Sequence, residues 1–277
     1  MGGVEEVAVV AQEGEVSEEV LTSVVFLRGV LPLVKVLVAE RAECGRGFRG
    51  REGVVQVAVD GPDGVRAVHY VVADGDLEVR LGVCESPDVE LFFGSLAHFN
   101  AFFKGRTKRL PRIRGIWRPG GFMLFIAFMR VLMALSSLLG ADRPPRDEAT
   151  KSLVVRLYFG LLSSGISGLN RAGHPEIARW AARSPDRVYA WSVDGHPEVA
   201  AHLRVRAGRT KAARGAYLRS KPFFTLRFDS LDSALGILLD IDDMLESTAS
   251  GKLVMEGAPE FGAQIGGFMM AVGEYAK

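Results

Sequence analysis

The chain has 277 residues, with 34 Lys and Arg against 33 Asp and Glu, and 48% of it is hydrophobic. At about 100–200 residues per domain this length favours two domains, and the composition is globular rather than disordered. A net charge of +1 argues against a dedicated nucleic-acid binder, and two cysteines, Cys44 and Cys84, exclude a disulfide-stapled scaffold and a cysteine-rich zinc site.

The opening Met1-Gly-Gly-Val-Glu-Glu has no basic stretch before an apolar core, so no signal peptide is expected and the location is read as cytoplasmic or peripheral to a membrane. An apolar helix is expected over about 17–40, with glutamates at its start that suit a helix N-terminus. Gly45-Arg-Gly-Phe-Arg-Gly50 satisfies the spacing of a dinucleotide fingerprint. That fingerprint needs a strand before and a helix after it, and here the order is reversed, so a basic connector is expected.

Alternating strands follow, and they introduce a repeat. Val57-Ala-Val-Asp-Gly61 is echoed by Trp191-Ser-Val-Asp-Gly195, and Glu90-Leu-Phe-Phe-Gly-Ser-Leu96 by Thr225-Leu-Arg-Phe-Asp-Ser-Leu231. The displacement between echoes is constant to within one residue. Between them, Val68, Tyr70 and Val72 alternate much as Ala201, Leu203 and Val205 do, the pattern of half-buried antiparallel strands. After each Ser-Leu pair the period changes to that of a helix: Leu96, Phe99, Phe102 and Phe103 share one face, as do Leu231, Leu235 and Leu238.

Next comes a basic stretch with no acid in it: Lys104, Arg106, Lys108, Arg109, Arg112, Arg114 and Arg118, with Trp117 among them. Cations near anionic lipid are worth about 1 kcal/mol each and Trp favours the interface, so this is a candidate membrane-docking segment; a solvated loop is the plain alternative. Nucleic acid is not expected, since Trp117 is the single stacking group there.

Residues 120–139 are apolar nearly all round. Such a helix is a core element, a cavity wall or a membrane span. Its length approaches the roughly 20 residues a span needs, but Arg130 at its centre would cost about 2.5–3.5 kcal/mol there. Gly140-Ala-Asp-Arg-Pro-Pro-Arg-Asp147 then breaks the chain, dividing it into units 1–143 and 144–277. The second unit repeats the order: a helix at about 148–170, a short helix at 176–183, strands, a short helix, a short strand and a closing helix. Strands followed by helices without regular βαβ alternation indicate an α+β fold.

From about 187 to 277 the chain resembles the lipid-binding domain of the sterol carrier protein type 2 family. The resemblance lies in Pro222-Phe-Phe-Thr-Leu-Arg-Phe-Asp229, the short helix Ser230–Leu239, the return segment Ser250-Gly-Lys-Leu-Val-Met-Glu-Gly257 and the apolar helix 260–276. Residues 53–135 look similar but carry Leu110-Pro-Arg-Ile-Arg-Gly115 in place of the Gly-Lys-Leu strand. The resemblance implies two units, each a largely antiparallel sheet covered by helices around an apolar tunnel for an acyl, phospholipid, isoprenoid or sterol-like ligand. It implies lipid binding or transfer without catalysis and without a cofactor.

The residues assigned to the tunnel are Leu91, Phe93, Phe99 and Phe102 in the first unit, and Phe122, Phe125 and Met129 on the apolar helix. In the second unit they are Leu203, Phe224, Leu226, Phe228, Leu235, Met255, Phe268 and Met269. Taking a sixteen-carbon chain from water yields roughly 12 kcal/mol, at about 0.8 per CH₂. Taken from a membrane the exchange is near balance, so such a protein would trade lipid with membranes, and docking becomes the important step.

A rival reading makes the chain an enzyme or accessory subunit of isoprenoid or acyl metabolism, with Asp240, Asp242, Asp243 or His202 facing the cavity. Asp240-Ile-Asp-Asp243 spells the acid motif of class II terpene cyclases, yet it ends a short helix, and solvated turn acids are expected. A third reading packs both units solid as a membrane-tethered interaction protein. No metal is expected, because His69, His98, His174, His196 and His202 show no ligating spacing.

Overall fold

The computed structural model describes residues 16–277, so the chain start read for a signal peptide lies outside the described residues. In chain order the elements are α1 (Glu18–Val25), α2 (Val34–Glu40), α3 (Ala42–Gly45), β1 (Glu52–Gly61), β2 (Gly64–Ala73), β3 (Asp76–Leu81), β4 (Val89–Phe93), α4 (Leu96–Phe103), β5 (Arg112–Arg114) and α5 (Gly121–Leu139). After the break come α6 (Glu148–Ala172), α7 (Pro175–Arg183), β6 (Arg187–Val193), β7 (Ala201–Arg206), β8 (Arg209–Arg214), β9 (Phe224–Phe228), α8 (Leu231–Leu238), α9 (Met244–Ala249), β10 (Leu253–Glu256) and α10 (Pro259–Ala276). The fold is α+β, as the strand and helix order indicates.

The strands form two five-stranded sheets, β3-β2-β1-β4-β5 and β8-β7-β6-β9-β10. Each has the same directions: the inner pair β1·β4 or β6·β9 is parallel and every other pair antiparallel. The register coincides as well. Val59 pairs with Phe93 in one sheet and Val193 with Phe228 in the other, the residues that anchor the two sequence echoes. Ser95 and Ser230 then cap α4 and α8, each side-chain oxygen accepting from the backbone N–H three residues on. His69 and His202 occupy equivalent places, with Nδ1 at 2.8 Å from the Gly82 carbonyl oxygen and 2.9 Å from that of Gly215.

The run Glu18–Glu40 is continuous but irregular, and Pro32 is the reason. Proline has no N–H to donate to the Arg28 carbonyl, so the backbone widens into a π turn over Phe26–Val30 and tightens into a 3₁₀ turn over Leu31–Leu33. Leu31 N–H donates to the Phe26 carbonyl five residues back, while the Leu31 carbonyl accepts from the buried Tyr70 hydroxyl at 3.0 Å.

This run and α6 lie face to face between the sheets, and glycines set their approach. A Cβ on Gly29 would stand 3.0 Å from Leu161 Cδ1 and 3.6 Å from the Gly165 Cα, and one on Gly168 would stand 3.1 Å from Val24 Cγ1. Close approach of backbones joins the interiors of both units into one hydrophobic core. Arg41 donates to Thr150 at 2.8 Å, and Arg156 pairs with Glu40, tying the same two helices at their ends. Gly45–Gly50 lies in short helical turns between a helix and a strand, the context of a connector and not of a phosphate loop.

Candidate functional site

The residues assigned to a tunnel are carried by β4, β7, β9, β10 and by helices α4, α5, α8 and α10. Alternation along the strands turns Leu91, Phe93, Leu203, Phe224, Leu226 and Phe228 inward, and all are buried. Phe99, Leu235, Phe268 and Met269 are buried too, Phe102, Phe125, Met129 and Met255 are half-buried against the core, and Phe122 is exposed. The first unit brings Phe93, Phe99 and Phe102 together with Phe26 and Phe103 in an aromatic cluster, with centroids 4.8–6.2 Å apart. In the second unit Phe268 meets Trp180 at 5.1 Å, and Trp191 Nε1–H donates to the Met269 sulfur at 3.3 Å.

Two hollows open at the surface. One, of about 660 Å³, is half-enclosed between α1 and the π turn, the β1–β2 hairpin end, and the last turns of α6. Val20, Val24, Leu27, Val65 and Leu81 give it apolar walls, and Arg28, Arg66 and Arg171 enter it together. The second is shallower, lies between α7 and α10, and has Phe268 on its wall beside Trp180, Arg179, Arg183 and Arg187. Arg187 is stacked on Phe223, 3.9 Å from the ring centroid. Of the residues assigned to a tunnel, Phe268 alone borders either of these two hollows.

Sequence reasoning missed the arginines of the first hollow because they lie on three distant elements. Arg28 did leave a signal: it is the single charged residue in the apolar run from Leu21 to Val34.

A second feature is the outer face of α5. Its inner face packs Leu124, Ala127, Phe128 and Val131 into the core, with a Cβ on Gly47 able to come within 2.8 Å of the Ala127 Cβ. A third of the helix's most apolar stretch is buried. Phe122, Met123 and Met133 point outward with Arg130 between them. A surface helix ordinarily turns a polar face to water; this one offers Arg130, Ser136 and Ser137 but also three large apolar side chains. The helix is long and apolar enough to cross a membrane, as are Glu18–Glu40 and α6, but those two are mostly buried in the protein.

The basic stretch before α5 divides in two. Lys104 Nζ donates to the Glu274 carbonyl at 3.4 Å, and Arg106 reaches the Lys277 carbonyl at 3.5 Å, so both rest on the end of α10. Burial first, then the neighbouring Arg106, holds Lys104 below the usual lysine range. Arg114 pairs with Glu90 at 3.1 Å and lies over Phe92. Arg118 donates to the Pro87 carbonyl at 3.2 Å. Lys108, Arg109 and Arg112 extend into solvent, next to Leu110 at 67% exposure and Trp117 at 93%.

The aspartates of the rival reading border neither of these two hollows. Asp240 takes a left-handed turn conformation, φ 61°, 3.9 Å from Lys277. Asp242 faces Lys252 at 3.8 Å, and Asp243 caps α9 by accepting from Leu245 and Glu246 N–H. His202 packs against Tyr217. Among the described residues, no three His, Cys, Asp or Glu side chains form a group able to hold a metal ion.

No family model matches the chain, and no curated protein matches it. Among solved structures it is similar to the solution structure of a conserved hypothetical protein from Thermus thermophilus, described as a possible sterol carrier protein. The identity is 20% and the TM-score 0.29, over 42% of this chain and 85% of that one. A score that low carries no inference about architecture or ligand.

Proposed function

We propose that this chain is a lipid-binding and lipid-transfer protein that works at an anionic membrane surface, taking up an acyl, isoprenoid or sterol-like molecule without transforming it. The observation that carries this reading is the outer face of α5, where Phe122, Met123 and Met133 stand free in water, preceded along the chain by exposed Trp117 and the solvent-facing Lys108, Arg109 and Arg112. Apolar surface of this kind on a soluble-sized fold needs a covering, and the charge beside it selects an anionic one.

The magnitudes suit reversible docking. Full burial of a Phe or Met yields about 1.5–3 kcal/mol, and these three are half-exposed, so each offers roughly half of that. Lys108, Arg109 and Arg112 add about 1 kcal/mol apiece against anionic lipid. The helix would lie in the interface plane, which keeps Arg130 among headgroups and avoids the cost of carrying it to the bilayer centre. The rival enzyme reading gains nothing comparable, since its acids serve as turn and cap residues.

Vesicle co-sedimentation, paired with native mass spectrometry of the purified chain before and after solvent extraction, tests the reading. Binding to vesicles with about 30% anionic lipid should exceed binding to neutral ones, and Phe122→Ser with Met123→Ser and Met133→Ser should weaken it by at least about tenfold. A chain that carries no lipid, acquires none and ignores both vesicle types would end the proposal.

A further inference from the structure

Arg28 from the π turn, Arg66 from β2 and Arg171 from the last turn of α6 share the first hollow. Among the described residues the one carboxylate on its wall, Asp63, is 3.0 Å from Arg66 and 80% exposed. Among the described residues neither Arg28 nor Arg171 comes within ion-pair distance of a carboxylate. Three guanidiniums against one acid among the described residues leave a surplus of positive charge beside the apolar side chains of Val20, Val24, Leu27, Val65 and Leu81.

The backbone is shaped to hold that arrangement. The π turn forced by Pro32 carries Arg28, and π turns inside helices recur at functional sites. The aliphatic stem of Arg28 runs across Gly168 of α6, where a Cβ would come 3.4 Å from Arg28 Cβ and 3.1 Å from Val24 Cγ1. Burial first, and then the neighbouring Arg171 and Arg66, lower the Arg28 pKa from its ordinary value. The second sheet is built differently here: Arg66 pairs with Val59 inside the β1–β2 ladder, whereas the β6–β7 ladder ends at Trp191 and Ala201, and a short 3₁₀ turn with buried Val199 precedes it.

We propose, resting on the lipid-binding reading above, that this hollow receives the oxyanion head of a single amphiphile. Arg28, Arg66 and Arg171 donate to the head's oxygens, and Val20, Val24 and Leu27 cover the first carbons of its tail. A planar guanidinium matches a phosphate or carboxylate through paired N–H donors, which a neutral alcohol or sterol hydroxyl cannot use in the same way. The volume falls inside the range of about 300–1,000 Å³ typical of small-molecule sites.

Calorimetric titration of the full chain with n-dodecyl phosphate, dodecanol and inorganic phosphate tests this, each amphiphile kept below its micelle concentration. Dodecyl phosphate should bind at least about tenfold more tightly than either of the others. Arg28→Met and the more exposed Arg171→Met should each weaken it by about tenfold while leaving dodecanol binding unchanged, with thermal melts confirming that both variants fold. If dodecyl phosphate binds both variants as it binds the parent chain, the headgroup site is overturned and lipid binding stands. If inorganic phosphate binds as tightly as dodecyl phosphate and both are lost together, the hollow is a free-anion site and the amphiphile is overturned. If the parent chain takes up neither amphiphile nor any membrane lipid, the lipid-binding reading itself falls.

Discussion

Helix α5 closes the first unit and α10 the second, from equivalent places after a short edge strand. On α10 the solvent side carries Glu260, Gln264 and Glu274 with Ala263, Gly267 and Met270. On α5 it carries Phe122, Met123 and Met133 with Arg130, Ser136 and Ser137, and no acid. The inner faces of both helices are buried, so the core constrains them alike. The outer faces contribute nothing to the core and are free to diverge, which is where one scaffold acquires two different surfaces. The sheets differ near the first hollow too, since Arg66 pairs with Val59 within the β1–β2 ladder while the β6–β7 ladder stops at Trp191 and Ala201.

The sharpest way to break this comparison is in the shared core. Phe93 and Phe228 hold the same register and are both fully buried. Phe93→Ala and Phe228→Ala should each cost about 3–5 kcal/mol in urea unfolding, the range for an aromatic removed from a packed interior. A loss below about 1 kcal/mol at either would mean that the side chain lines a space already open.

The glycines after the edge strands come next. Gly115 has φ 83° and Gly257 has φ 136°, both unfavourable for a residue with a side chain. A Cβ on Gly115 would overlap the Asp88 carbonyl oxygen, and one on Gly257 would stand 2.6 Å from Phe224 Cδ2. Gly115→Ala should cost about 3 kcal/mol or more because it meets backbone, and Gly257→Ala somewhat less because an aromatic ring can shift. Equal costs would show that the strained backbone, and not the contact, sets the effect.

The smallest contrast lies in two buried tyrosines. The Tyr70 hydroxyl donates to Leu31, whereas the Tyr189 hydroxyl has no hydrogen-bond partner among the described residues. Tyr70→Phe should lose about 1 kcal/mol, and Tyr189→Phe should be neutral or stabilising. Burial raises the Tyr70 pKa well above its ordinary value of 10.0. The folded state therefore keeps a proton that the unfolded chain releases, so this contribution is intact below about pH 10 and stability falls as the pH rises beyond it. Unfolding curves between about pH 8 and 11 should show that slope reduced in Tyr70→Phe.

Much of the architecture was legible in the chain. Alternation located the strands, the two Ser-Leu pairs located the caps of α4 and α8, and the paired prolines located the break before α6. The equivalent roles of His69 and His202 were missed, because their partners are carbonyls of Gly82 and Gly215 and a carbonyl leaves no trace in residue type. The site was less legible. Leu91, Phe93, Leu226 and Phe228 read as inward-facing, and they are, but an inward-facing residue packs a core or lines a space with the same pattern.

Periodicity and turn chemistry, both local properties, thus determined by sequence alone that there are two similar α+β units and in what order their strands and helices follow. Tertiary structure decided which side of α5 meets water, since a helix apolar all round gives no direction. It also decided that Arg28, Arg66 and Arg171 meet. Their convergence depends on how the π turn, β2 and α6 cross, and crossing geometry is set by long-range packing through Gly29 and Gly168, which no short window of sequence contains.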